Sequence, residues 1–211
     1  MLNFFFKNYF YFKYKIIRSY HFRIKRKNLK TWLLSQNKTK WLDIGSSKLL
    51  PDTNFKYLDI FDPGSLANEI KKIYFQVDIT KPILNDLGKF DFIRLQHVFE
   101  HFTYEEADIV LENISKLLNK NGILLITVPS LDIFISRYIT STIEEIPLFK
   151  SWANTRILKQ SPKSDYFSIF THSVLYEQHK WCYNQKGLIN KINKSNNFVN
   201  IKKLHLFHNL S

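Results

Sequence analysis

The chain has 211 residues and a formal charge of +13, carried by 31 Lys+Arg against 18 Asp+Glu. A length near ~150 residues per domain implies one domain with a short appendage. The 45% apolar content excludes a disordered chain, and the single Cys182 excludes a disulfide framework or a cysteine-rich zinc site.

The charge is uneven. Residues 1–40 hold eleven Lys/Arg and no acid, residues 41–180 sum to −3, and residues 181–211 carry five Lys and no acid. The basic character therefore belongs to the two ends. In the first 30 residues Phe4, Phe5, Phe6, Tyr9, Phe10, Tyr11, Phe12 and Tyr14 interleave with Lys7, Lys13, Lys15 and Arg18. No stretch there reaches the ~20 uncharged apolar residues of a membrane-spanning helix. Charges also interrupt any signal-peptide core. Lys7, Lys15, Arg18 and Lys25 share one side of a helix, so residues 1–38 are read as a basic aromatic helical arm. Its aromatic face either packs on the domain, lies on an anionic membrane surface, or stacks on nucleic acid.

From residue 39 strand and helix signals alternate, the pattern of a parallel α/β sheet. "TKWLDIG" reads as a strand and tight turn, "FKYLDI" as a second strand ending at Asp59, and "IYFQVDI" as a third ending at Asp78. "FDFIRLQHVFEHF" opens with a fourth strand and turns toward a helix. That helix carries Ala107, Val110, Leu111, Ile114, Leu117 and Leu118 on a 3.6-residue stripe, with Thr103 and Glu106 as a capping box. "NKNG" reads as a turn and "ILLITVP" as a buried strand. Residues 130–180 form a less periodic lid or insertion. Leu188, Ile189 and Ile192 mark a last helix, and "VNIKKLHLF" alternates as a last strand.

Asp43, Asp59 and Asp78 each end a strand, and Gly45 follows the first. In an open parallel sheet, ligands bind beyond the carboxyl ends of the strands. A residue without a side chain lets backbone approach an anionic ligand there. One carboxylate can accept both hydroxyls of a ribose and the next can accept from an adenine amine, which points to an adenosyl compound.

These segments resemble the class I S-adenosylmethionine-dependent methyltransferases. The matching stretches are "WLDIGSS", "KYLDI", "QVDITKPI", "FDFIRLQHVFEHF", "LLNKNGILLITVP" and "HKWCYNQKGLINKINKSNNFVNIKKL". The nearest flavour is the small bacterial type found with surface-polysaccharide biosynthesis. The resemblance implies a Rossmann-like, mostly parallel sheet with helices on both faces over residues 39–211, beside the N-terminal arm. It implies S-adenosyl-L-methionine as cofactor, with Asp43, Gly45 and Ser46 at its methionine end. Asp59 and Ile60 would stand at the ribose, Asp78 and Ile79 at the adenine, and Gln96 and His97 at the methyl-donor side. The family's loop continues with a second glycine where this chain has Ser46 and Ser47.

Catalysis by this class needs mainly alignment, plus a base when the acceptor is a hydroxyl. His97, His172 and His179 are the candidate bases, since an imidazole pKa near ~6.5 suits that task. His97 and His101 are four apart, but Glu100 precedes the second histidine, whereas HExxH sites place the acid directly after the first. No metal is expected. The expected activity is O-methylation of a small-molecule or lipid-linked glycan acceptor in the cytoplasm or at the inner membrane face. A non-catalytic adenosyl-binding or scaffold module is the alternative, and an RNA methyltransferase a further one.

Overall fold

The structure is a computed structural model that describes residues 29–45, 54–62, 64, 71–83, 87–140 and 179–203. The residues of the arm before 29, Ser46, and 141–178 of the lid with His172 lie outside the described residues.

Five strands form one sheet: β1 (Trp41–Ile44), β2 (Phe55–Asp59), β3 (Tyr74–Gln76), β4 (Phe90–Gln96) and β5 (Leu118–Thr127). Their order is β3-β2-β1-β4-β5. Every pairing is parallel, as expected for apolar runs covered on both faces. The order reverses between β1 and β4, which makes that junction the switch point where an open sheet leaves a crevice.

Period-two alternation sends successive residues to opposite faces. Leu42, Ile44, Leu58, Ile93 and Leu95 are buried in one cluster with Ala107, Val110, Leu111 and Ile114 of helix α1 (Glu106–Leu117). Trp41, Phe55, Tyr57 and Phe92 form a second cluster with Leu33. Leu33 is 0% exposed and lies in a helical stretch at 29–35. This part of the segment read as an arm packs its apolar side on the second face of the sheet.

The capping box forms as expected. The Thr103 amide donates to Glu106 Oε2 at 2.8 Å, and the Glu106 amide donates to Thr103 Oγ1 at 3.1 Å. Helix α2 spans Leu131–Thr140 and α3 spans Gln185–Lys194. Asn184 caps α3, accepting from the Gly187 amide at 2.7 Å.

Two expectations change. "NKNG" lies inside β5, where pairing jumps from Phe90↔Leu118 to Phe92↔Ile123. Asn121 takes φ 61°, which asparagine tolerates better than most residues, so the turn is an outward bulge within a strand. The last strand does not form over residues 199–203. Val199 is 84% exposed while Ile201 packs against the core, so the segment meets the domain through a side chain without pairing as a strand; residues 204–207 lie outside the described residues.

Candidate active site

All five strands end their carboxyl sides at one edge, and the candidate site is built there. Gly45 takes φ +69°, and a Cβ at this position would stand 2.5 Å from Val98 Cγ2. Only glycine fits both demands. Its amide is not turned to a ligand: it donates to the Leu58 carbonyl at 2.8 Å. The glycine thus lets β1 turn away tightly beside the chain leaving β4.

Asp43 is 4% exposed. Its carboxylate meets Arg94 at two points, with Arg94 Nε donating to Oδ1 at 3.1 Å and Nη2 to Oδ2. Arg94 was invisible to motif reasoning, because a charged residue within the β4 apolar run gives no hint of its partner. The guanidinium also lies 4.7 Å from the Phe55 ring centre.

Asp59 closes β2 at 6% exposure, and its Oδ1 accepts from the Phe61 amide at 3.4 Å. Ile60 and Phe61 are 55% and 60% exposed, an apolar surface directly beside that acid. Tyr74 donates to the Phe61 carbonyl at 2.9 Å. Burial, with the charges of Asp59 and Asp62, pushes the Tyr74 phenol up to about 12.

Asp78 falls two residues past β3, which ends at Gln76. Its Oδ1 accepts from the Thr80 hydroxyl at 2.6 Å and the Thr80 amide at 2.9 Å. The Thr80 hydroxyl bond is the main cause holding its carboxyl below the ordinary range. Ile79 is a core residue, 3% exposed. Its carbonyl and that of Lys81 both accept from Asn113 Nδ2, at 2.9 and 2.8 Å. Asn113 was missed because it sits inside the apolar stripe of α1, where a lone polar residue gives no signal of what it holds.

Gln96 ends β4 exposed. His97 follows with φ 56°, left-handed backbone that histidine adopts more readily than most non-glycine residues, while its amide donates to the Thr127 carbonyl at 2.9 Å. His97 Nδ1 stands 3.5 Å from Glu100 Oε1, with the His97 side chain 59% exposed. Glu100 sits in a one-turn 3-10 helix, Phe99–His101, and is 2% exposed. His179 Nε2 reaches to 3.9 Å from the same oxygen and its side chain is 8% exposed. The structure therefore gathers His97, His101 and His179 around one buried acid. Burial and the Glu100 charge push the nearby Cys182 thiol up.

Among the described residues no helix is long and apolar enough to cross a membrane. A family model for a methyltransferase domain matches residues 17–202. Among curated proteins no match is found. The fold is similar to an S-adenosylmethionine-dependent methyltransferase from Clostridium acetobutylicum, at 15% identity and TM-score 0.41, covering 50% of this chain and 49% of that one. It is also similar to PKMT2 from Rickettsia typhi in complex with AdoHcy, at 19% identity and TM-score 0.38, covering 75% and 39%. The chain thus spans half or less of the length of these two structures. By the family model, which takes in both the sheet and the residues at its carboxyl edge, the chain belongs to the methyltransferase domain family.

Proposed function

We propose that this chain transfers a methyl group from S-adenosylmethionine to an oxygen of a small-molecule or glycan acceptor. The observation that carries the reading is a row of polar groups along one sheet edge. Because β3, β2, β1 and β4 are neighbours in that order, Asp78, Asp59, Asp43 with Gly45, and Gln96 with His97 fall side by side.

In this reading Asp59 accepts the ribose hydroxyls and Asp78 accepts from the adenine amine. Ile60, exposed beside Asp59, packs on the adenosyl group, and Ile79 supports the Asp78 turn from within the core. Asp43 acts through Arg94, which it fixes, and Gly45 leaves room for the methionine end, with Ser46 following it. Gln96 and His97 line the methyl side. When bound, S-adenosylmethionine would supply an activated methyl carbon for in-line displacement, and His97 would take the hydroxyl proton of the acceptor. His172 and His179 remain further candidate bases, although the burial of His179 beside Glu100 favours His97. A lipid-linked glycan would bring the acceptor to an anionic membrane, with residues 1–30 lying on its surface.

Calorimetry of the full chain with S-adenosylmethionine tests the reading, followed by transfer of a labelled methyl group to hydroxylated glycans. Binding is expected, and Asp59→Ala should weaken it at least tenfold, the ~1.5 kcal/mol of a strong hydrogen bond. A folded chain that does not bind the cofactor overturns the proposal. Binding without transfer to any acceptor favours a non-catalytic adenosyl-binding module. Deleting residues 1–30 should release the chain from anionic vesicles; a chain that never binds them refutes the membrane extension.

A further inference from the structure

Glu100 is an unusual acid. It is 2% exposed, it lies at the carboxyl edge of the sheet, and neither of its carboxylate oxygens takes part in a hydrogen bond. A buried carboxylate left this way is costly unless a cation or a set of donors meets it. No lysine or arginine ion pair reaches it among the described residues; the side chains nearest its carboxylate include the imidazoles of His97 and His179. His97 Nδ1 and His179 Nε2 lie 3.5 and 3.9 Å from Oε1, longer than hydrogen bonds.

One ligand atom from each of Glu100, His101 and His179 lies within 4.8 Å of the others. The His101 and His179 rings meet edge to face, with centroids 4.9 Å apart and planes at 72°. The backbone holds the two segments together before any ligand arrives. The amides of Lys180 and Trp181 both donate to the Glu100 carbonyl, at 2.9 and 3.1 Å. The same segment is tied to the start of α2, where the Leu131 amide donates to the Tyr183 carbonyl at 2.9 Å. His179 is thereby fixed against the one-turn helix that carries Glu100 and His101.

We propose that Glu100, His101 and His179 form a binding site for a divalent metal ion of the zinc class. Two imidazoles and one carboxylate are the donor set that borderline transition metals prefer over magnesium or calcium. At metal–ligand distances of about 2.1 Å, tetrahedral ligand atoms stand roughly 3.4 Å apart, so side-chain rotation has to draw these three inward from their present spacing. The cation supplies the charge that the buried carboxylate lacks. Three protein ligands leave a fourth position for water or another oxygen donor. The one-histidine-then-acid order of the 97–101 segment hides this site from a motif search, because the third ligand arrives from the far end of the chain. The site adjoins His97 of the methyl-transfer reading, but its test is separable because the readout is metal content.

The experiment titrates zinc chloride into the metal-stripped full chain and into E100Q, H101A and H179A. One equivalent is expected to bind the native chain, with each variant weakening affinity at least tenfold while circular dichroism stays unchanged. Glutamine keeps the shape and hydrogen-bonding capacity of Glu100 but not its charge, so unchanged zinc affinity in E100Q overturns the proposal. So does the absence of stoichiometric binding by the native chain. Cobalt(II) spectra of the native chain decide the matter if a variant fails to fold. Visible bands of nitrogen and oxygen ligation support the assignment, and a thiolate charge-transfer band assigns the ion to Cys182 and overturns it.

Discussion

Asp43 and Arg94 are register partners on β1 and β4, and their side chains close a two-point ion pair sealed between the strands. The pair spans the point where the strand order reverses, so it locks the floor of the crevice. Side-chain exposures of 12% for Arg94 and 6% for Asp43 leave little water to screen a lone charge. Arg94→Met should therefore cost about 3–5 kcal/mol of stability, the usual penalty for stranding one buried partner. Urea unfolding measures it, and Asp43→Asn in the same chain should recover part of the loss.

Gly45→Ala should be destabilising by about 1–2 kcal/mol from the left-handed backbone alone, with the Val98 clash added. Val98→Ala removes the clashing methyls and should recover only the clash component. Thermal unfolding of the two single variants and the double variant separates the strain from the contact.

Asn113→Leu leaves the Ile79 and Lys81 carbonyls without their donor. A loss of about 1–3 kcal/mol is expected for buried acceptors. Because that donor holds the turn bearing Asp78, cofactor affinity measured by calorimetry should fall as well. An affinity unchanged in a folded variant would detach Asp78 from the cofactor.

Thr103→Ala should cost about 1 kcal/mol through the lost cap. Glu106 gives a pH signature. The Thr103 amide, and then Lys180, hold its carboxyl below the ordinary value of 4.5. A depressed carboxylate stabilises the fold above its unfolded pKa and loses that contribution as pH falls through the folded one. Stability should thus decline on acidification below about pH 4.5, and Glu106→Gln should flatten this part of the curve in a series of denaturant titrations.

What the sequence determined by itself was local. The first five strand runs, the α1 stripe through Leu117, the capping box and the acids Asp43 and Asp59 near the ends of β1 and β2 follow from periodicity and from contacts within a few residues, and the structure reproduces them. The resemblance to a methyltransferase extended that reading to the cofactor, since several weak motifs fell in order. Its limits were equally physical. Asp43 and Asp59 read alike as strand-end acids, yet only the register of β1 against β4 decides that Asp43 faces Arg94. Asn113 is one polar residue on an apolar stripe, and only the packing of α1 on the sheet brings it to the Ile79 and Lys81 carbonyls. Glu100 and His101 gain His179 because the chain returns past the carboxyl edge before α3, a meeting that no local spacing encodes. Burial and long-range pairing are properties of the assembled sheet, so they were settled only when the strands took their order.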